Sequence, residues 1–458
     1  MVNIPSGATK IIQQLESCGY EAYLVGGCVR DLVLGMQTGQ TVIPHDFDIC
    51  TNAVPEQVRS ALSGQRILDT GIKHGTVTVL MPDGQYEVTT FRVDGQYSDS
   101  RHPDEIRFTG KIEEDLARRD FTVNAMAMSL TGDPSKNIAS FHLVDPYGGA
   151  ADLRRGIIRC VGDASERFHE DALRILRAIR FAARLNFSID YLTQAAMHET
   201  RSLLSKISGE RIFSEMSQIL AASRGWDYLH SYSDILCEIM PEFKPAIGLD
   251  QNNKYHCYNV FDHIIMSLSF APQDTIVRWA LLLHDLGKPA TKTTGEDGWS
   301  HFYGHGAVSE DLARDILNRL HVSNQFKHDV LQLVRDHDAP VAATERFCRR
   351  MLNKYGADQT RRLMQVHRAD TLAHSTYKMA EHLKVLDDAD TMLEALLLKS
   401  EAFQLRDLAI NGQDLLNAGI PQGPEIGAAL QRALDAVLDG RCENSYDELM
   451  QVALQRDA

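Results

Sequence analysis

At 458 residues, with hydrophobic side chains at 44%, the chain has apolar material for about three packed domains. Lys and Arg total 47 against 62 Asp and Glu, a formal net charge of -15, which excludes a general attraction to nucleic acid. A polynucleotide would have to meet a local basic surface. Eight scattered cysteines without a Cys-x-x-Cys pair argue against a disulfide framework, and no apolar run approaches the ~18 residues of a membrane span. The start, Met1-Val2-Asn3-Ile4-Pro5, does not read as a signal peptide, so a cytoplasmic protein that meets no membrane is expected.

In chain order, residues 6–19 have helical periodicity through Ile11, Ile12 and Leu15 and stop at Gly19. Five short β-rich runs follow: Ala22–Val25, Phe47–Cys50, Arg66–Leu68, Thr76–Met81 and Tyr86–Phe91, with Asp83-Gly84 as a hairpin signal. The pattern predicts a small sheet flanked by helices. From about Leu153 onward the spacing predicts helices almost throughout, with a linker at Gly248–Tyr255 and a polar loop at Thr293–Trp299. The expected class is α+β: an N-terminal mixed sheet, then an all-helical remainder.

The chemistry concentrates in three blocks. In the first, Leu24-Val25 runs into Gly26-Gly27 and then Arg30, and Asp46-Phe47-Asp48 follows. A glycine turn offers backbone N–H groups without side-chain bulk, and Arg30 adds a donor fork; both suit a triphosphate. Carboxylates at i and i+2 on a strand face one way. Asp46, Asp48 and Glu87 form a candidate cluster for two divalent ions, the arrangement that activates a hydroxyl and neutralises departing pyrophosphate. An acidic pair alone is commonly just solvated; the glycine turn and Arg30 upstream favour the site. In the second block, Arg118-Arg119-Asp120-Phe121-Thr122-Val123-Asn124-Ala125-Met126-Ala127, Arg119 is expected to meet the nucleotide, Asp120 to orient it and Asn124 to brace the turn. A solvated helix end fits that block equally well. In the third, Glu170 to Arg180, Arg174, Arg177 and Arg180 recur every third residue with Asp171 one turn earlier, a spacing that puts all four on one helix flank. A surface helix laced with ion pairs is the plainer reading. The sharper one is that Asp171 and Arg174 offer an acceptor and a donor fork to the edge of cytosine or adenine, while Arg177, Arg180 and Arg184 give a basic flank for RNA.

These blocks resemble the class II tRNA nucleotidyltransferase and poly(A) polymerase family. Further similar stretches are Glu87-Val88-Thr89-Thr90-Phe91-Arg92, Tyr97-Ser98-Asp99-Ser100-Arg101-His102-Pro103 and Glu210-Arg211-Ile212-Phe213-Ser214-Glu215. The resemblance implies that Gly26, Gly27 and Arg30 bind the incoming nucleotide and that Asp46 and Asp48 hold Mg2+. It implies that Arg119, Asp120, Asn124, Asp171, Arg174, Arg177 and Arg180 complete the pocket, with Asp171 and Arg174 templating CTP and then ATP onto tRNA. Arg92–Pro103 resembles the segment used to switch between those nucleotides. The connector Met36–His45 is longer than is usual in the family. A CCA-adding enzyme is expected; a poly(A) polymerase, an A-adding enzyme or a tRNA-binding protein with only a hydrolase site are the alternatives. Gly423-Pro424, a helix entry, resembles the tail of tRNA-specific members.

A separate pattern comprises His263, the doublet His284-Asp285, His305, His337 and Asp370. It resembles the HD phosphohydrolase signature. By that resemblance His263, His284, Asp285 and Asp370 would bind metal, with His305 and His337 as extra ligands of a two-metal site. Imidazoles with carboxylates suit Mn2+, Ni2+, Fe or Mg2+. The expected organisation is a catalytic head at 1–150, a helical neck at 151–247, an HD-type domain at 248–395 and a tRNA-binding tail at 396–458.

Overall fold

A computed structural model describes residues 4–95, 106–131, 140–399 and 403–455, apart from positions 41, 43 and 45. It contains two compact units, residues 1–239 and 240–458.

The first unit opens with α1 (Ser6–Ser17), whose Ala8, Ile11, Ile12 and Leu15 are fully buried. β1 (Ala22–Val25) leads through Gly26 into α2 (Gly27–Thr38). β2 (Asp48–Thr51), α3 (Pro55–Ala61), β3 (Arg66–Gly71), β4 (Thr76–Met81) and β5 (Gly84–Thr90) follow. β6 (Arg92–Asp94) pairs antiparallel with β7 (Ile106–Phe108), ahead of α4 (Ile112–Ala117), β8 (Ala127–Thr131) and β9 (Ser140–Val144). Seven strands form one mixed sheet in the order β3-β4-β5-β2-β1-β8-β9. The β4–β5 hairpin turns through Pro82-Asp83, since Met81 faces Gly84. β8 and β9 were not among the predicted strands: the apolar run of the Asn124–Ala127 block continues directly into an interior strand beside β1.

Two registers position the site. Val25 at the end of β1 faces Asp48 at the start of β2. β2 and β5 run parallel with Ile49 beside Val88, so one step back brings Glu87 next to Asp48. Phe47 is buried while Asp46 and Asp48 on either side are exposed, but β2 begins only at Asp48, so Asp46 lies just ahead of the strand on which the spacing placed both carboxylates.

The rest of this unit is helical: α5 (Gly149–Arg155), α6 (Ala164–Glu170), α7 (Leu173–Leu185), α8 (Tyr191–Thr200) and α9 (Gly209–Ala221) lead the series. The third block differs from expectation. Asp171 has extended backbone (φ -144°) and ends α6, so it does not share a helix with Arg174 on α7. Its carboxylate accepts from the Leu173 amide two residues on at 3.1 Å, a local bond that holds the chain in the break before α7.

The second unit is built of helices, including Val260–Ser269, Thr275–Leu283, His305–Arg319, Asn324–Asp336, Ala357–Leu372 and Met379–Leu398. Side chains of Asn259, Asp274 and Ser323 accept first-turn amides and set three of the starts. The Gly248–Tyr255 stretch is packed rather than a free linker: Gln251 is buried and accepts from Lys288 Nζ at 2.8 Å. Of Thr293–Trp299, Thr293–Thr294 form a short strand and residues 295–299 the turn that joins it to Ser300–His301. Gly423-Pro424 does begin a helix, Pro424–Leu438, which shares a core of Leu415, Leu434, Leu438 and Leu449 with its neighbours. Among the described residues no helix is long and apolar enough to cross a membrane.

Candidate active site and metal centre

The first unit carries a cleft of about 500 Å3 that gathers Gly26, Gly27, Arg30, Asp46, Asp48, Arg119, Asp120, Asn124, Asp171, Arg174 and Arg177. Seven arginines and five aspartates line it, a surplus of cations suited to a polyanion. Three of those aspartates are already paired, Asp31 with Arg30, Asp120 with Arg177 and Asp171 with Arg211.

Glycine is required at 26. Its φ of +74° is left-handed, and a Cβ there would lie 3.0 Å from Arg119 Nη1. The Arg119 guanidinium thus sits over the turn that opens α2. Fully buried Asp115 holds it at 3.3 Å and grips Arg118 Nη2 at 2.8 Å. Although Asp48 is solvent-exposed as a residue, desolvation of its carboxylate by the cleft walls raises its pKa, and the neighbouring carboxylates of Glu87 and Asp46 push the same way against Arg119. Crowded carboxylates of this kind are relieved by a divalent cation, so the donor set fits one.

A buried relay joins the second and third blocks to α2. Arg177 Nε donates to Asp120 Oδ2 at 2.8 Å, Asn124 Nδ2 donates to Asp120 Oδ1 at 3.2 Å, and Arg30 Nη1 donates to Asn124 Oδ1 at 2.9 Å. Burial alone would raise the pKa of Asp120, but the adjacent Arg177, with Asn124 and the Phe121 amide, takes it below the ordinary value. Arg174 donates to the backbone oxygens of Arg167 and Arg118, each at 3.0 Å, and to Glu170.

Two predicted residues stand apart from the cleft lining. Arg180 lies over the Phe181 ring at 4.3 Å and pairs with Glu215 at 2.6 Å. Glu87 is exposed beside Asp48 on β5. Conversely, Asp115, Arg118 and Arg211 belong to the site although the sequence reading gave them no role. For Asp115 the signal is slight, one acid among three in Glu113-Glu114-Asp115. For Arg211 it was its place in a recurring block. Of the switch segment Arg92–Pro103, residues 96–103 lie outside the described residues, as do 41, 43 and 45 of the long connector.

The second unit brings together all six residues of the other pattern. His263 Nε2 lies 2.8 Å from Asp370 Oδ1 and 3.4 Å from His284 Nε2, and His305 Nε2 lies 3.1 Å from His337 Nε2. Asp285 bridges the two halves: Oδ2 is 3.2 Å from His284 Nε2 and Oδ1 is 3.3 Å from His305 Nε2. Nδ1 of His284, His305 and His337 meets the carbonyl three residues earlier at 2.7, 2.8 and 2.7 Å. Those carbonyls require Nδ1–H, so in the neutral rings the Nε2 lone pairs point inward at one another. Such lone pairs repel unless a proton or a metal ion lies between them. Burial would raise the pKa of Asp285, but His284 and Lys288 hold it well below the carboxylate range. Imidazole nitrogens and carboxylates converging without thiolate fit Mn2+, Ni2+, Fe or Mg2+. Lys288 Nζ, 2.7 Å from Asp285, and the rings of His256 and His374, 4.6 Å apart, complete the surroundings, and no spacing in the sequence marks these three as neighbours of the cluster.

The strand–glycine turn–helix with an acidic pair on the adjoining strand, under a wall of arginines, defines a nucleotidyltransferase. Residues 22–159 match the family model described as Poly A polymerase head domain. Residues 290–453 match one for tRNA nucleotidyltransferase domain 2, and 186–247 one for an RNA and SrmB-binding site of polymerase A. The chain is 34% identical over 442 residues to the CCA-adding enzyme of Lactobacillus delbrueckii subsp. bulgaricus, covering 96% of this chain and 94% of that one. It is 32% identical over 462 residues to the CCA-adding enzyme of Lactiplantibacillus plantarum, covering 97% and 95%. The Bacillus stearothermophilus CCA-adding enzyme in complex with CTP superposes with a TM-score of 0.67 at 30% identity, covering 97% of this chain and 96% of that chain. The Thermotoga maritima CCA-adding enzyme complexed with tRNA shares the fold, with a TM-score of 0.58 at 19% identity over 98% and 95%. The chain belongs to the family of CCA-adding enzymes, the class II tRNA nucleotidyltransferases.

Proposed function

We propose that this chain adds C, C and A to the 3′ end of tRNA, using CTP and ATP and releasing pyrophosphate, and that it does so in the cytoplasm. The observation that carries the reading is the convergence of Asp46, Asp48, the Gly26-Gly27 turn and the arginines in one cleft. The bound CTP of the Bacillus relative and the shared names support it. Eight cysteines without a disulfide fit a reducing compartment.

Asp46 and Asp48 would hold Mg2+, which supplies activation of the attacking 3′ hydroxyl and charge neutralisation of the leaving pyrophosphate. Glu87 adds negative charge beside Asp48 and strengthens that cation site. The amides of the glycine turn and the guanidinium groups of Arg30 and Arg119 face the triphosphate. Asp120, Asn124 and Arg177 fix the wall that orients it. Asp171 accepts from the exocyclic amine of cytosine or adenine, while Arg174 donates to the ring; Arg180 braces the same helix through Glu215. Residues 151–247 and 396–458 would bind the RNA, and the head at 1–150 would carry out the addition. Purified protein incubated with tRNA lacking its 3′ end is expected to incorporate labelled CTP and then ATP. Addition of adenosine alone, without cytidine, would instead make it a poly(A) polymerase or an A-adding enzyme.

The 248–395 region would bind divalent transition metal through His263, His284, Asp285, His305, His337 and Asp370, and a metal-bound water there would suit attack on a phosphate ester. The inward-facing Nε2 atoms support this reading. Metal analysis of purified parent and His284→Ala is expected to show metal in the former and a loss of at least about tenfold in the latter. Equal contents would leave the cluster a packing motif.

A further inference from the structure

We propose that Arg211 is a specificity-determining positioning residue that acts through Asp171. The inference rests on the base-reading role proposed above for Asp171 and Arg174 and adds what controls it. The two members of that pair are held very differently. Arg174 is anchored by two backbone carbonyls and Glu170, on buried ground. Asp171 sits in the extended break between α6 and α7, where Oδ1 accepts from the Leu173 amide and Oδ2 accepts from Arg211 Nη2 at 2.8 Å. Its backbone is held by the Arg167 carbonyl at 3.3 Å and the Arg174 amide at 3.0 Å, so the aim of its carboxylate is set by those two side-chain bonds. Arg211 comes from α9, a different element, and lines the same cleft. Its Nη1 is buried without a hydrogen-bond partner, so the guanidinium is only half used by Asp171.

The chemistry follows from what each base presents. Cytosine and adenine offer an exocyclic amine to a carboxylate; uracil and guanine place a carbonyl oxygen at the corresponding position, which a carboxylate repels. Selection against UTP and GTP therefore requires the Asp171 carboxylate to be correctly aimed. Arg211 supplies that aim: its charge-assisted bond to Oδ2 fixes the plane of the group. Without Arg211 the carboxylate keeps its bond to the Leu173 amide through Oδ1 but loses the one that holds Oδ2. Discrimination then falls while phosphate binding and the cation site, built from other elements, remain.

The test measures kcat/KM for CTP and UTP on tRNA ending before its first added nucleotide. Arg211→Gln is expected to lower the CTP-to-UTP ratio by about 10- to 100-fold, the scale of a lost charge-assisted hydrogen bond. Arg211→Lys, which keeps the charge, is expected to recover most of the ratio, and it serves as the probe should the glutamine variant fail to fold. Because the effect runs through one partner, Arg211→Gln in an Asp171→Asn background is expected to change the ratio no further. An unchanged ratio in Arg211→Gln, an equal loss for both nucleotides, or additive effects in the double variant would each overturn the proposal. If Asp171→Asn itself leaves the ratio intact, the base-reading role fails first; an effect of Asp171→Asn without one of Arg211→Gln sinks only the present inference.

Discussion

Replacing Asp46 and Asp48 together by alanine is expected to lower kcat for nucleotide addition by about 10^4-fold or more, with tRNA affinity nearly unchanged. Both side chains face the cleft, and the raised pKa of Asp48 comes from desolvation by the cleft walls and its two acidic neighbours. Removing them takes away the place where divalent charge would gather, and no other pair on the cleft wall substitutes. Asp120 and Asp171 are spoken for by Arg177 and Arg211. RNA affinity, by contrast, comes mainly from cations meeting phosphate, and two fewer carboxylates in a chain of net charge -15 do not weaken it. Single-turnover addition with labelled CTP, alongside filter binding of tRNA, separates the two effects. Addition surviving at more than about a hundredth of the parent rate would move the cation site elsewhere.

What the sequence made legible was local. The alternation around Phe47 set Asp46 and Asp48 on one face, and the Gly-Gly pair marked the turn that φ of +74° at Gly26 requires. Thr76–Met81 appears as a strand with the predicted ends, because alternating Thr and Val residues are bounded by clear turn signals. The misreadings come from competition between side chains, some of it local and some with partners distant in sequence. Asp171 and Arg174 have helical spacing, yet the Asp171 side chain competes for the Leu173 amide and breaks the helix between them. Arg180 lies on the flank shared with Arg177, but Glu215, thirty-five residues further on, and the Phe181 ring draw it off the cleft wall. Spacing cannot reveal that competition. Asp115 lay hidden in an acidic run whose other members look equally solvated; only the fold buries one of them beneath Arg118 and Arg119. In the second unit the reverse held. Six metal-type residues spread over more than a hundred positions converge, because each histidine sits at a helix end or on an inward helix face.

Asp120→Ala is expected to destabilise the first unit by about 3 kcal/mol and to lower addition with both nucleotides alike. Asp120 is 7% exposed and stands at the centre of the relay from Arg177 through Asn124 to Arg30. Alanine leaves Arg177 without its acceptor, and that uncompensated cation, more than the lost bond, sets the cost. Because the Arg177 side chain is 33% exposed, water recovers part of it, which places the figure at the low end for a broken buried pair. The pH dependence has a definite sign. Asp120 titrates below the ordinary 3.8 in the folded chain, so its contribution is fully present above that value and is lost as pH falls through the lower, folded pKa. Asp120→Asn therefore flattens the acid limb of the stability curve below pH 3.8 and leaves the neutral-to-alkaline limb in place. Denaturant melts of parent and both variants between pH 3 and pH 7 measure this directly. A parent whose acid limb matches that of Asp120→Asn would mean that Arg177 is not the partner that holds this carboxylate ionised, and the relay would lose its anchor.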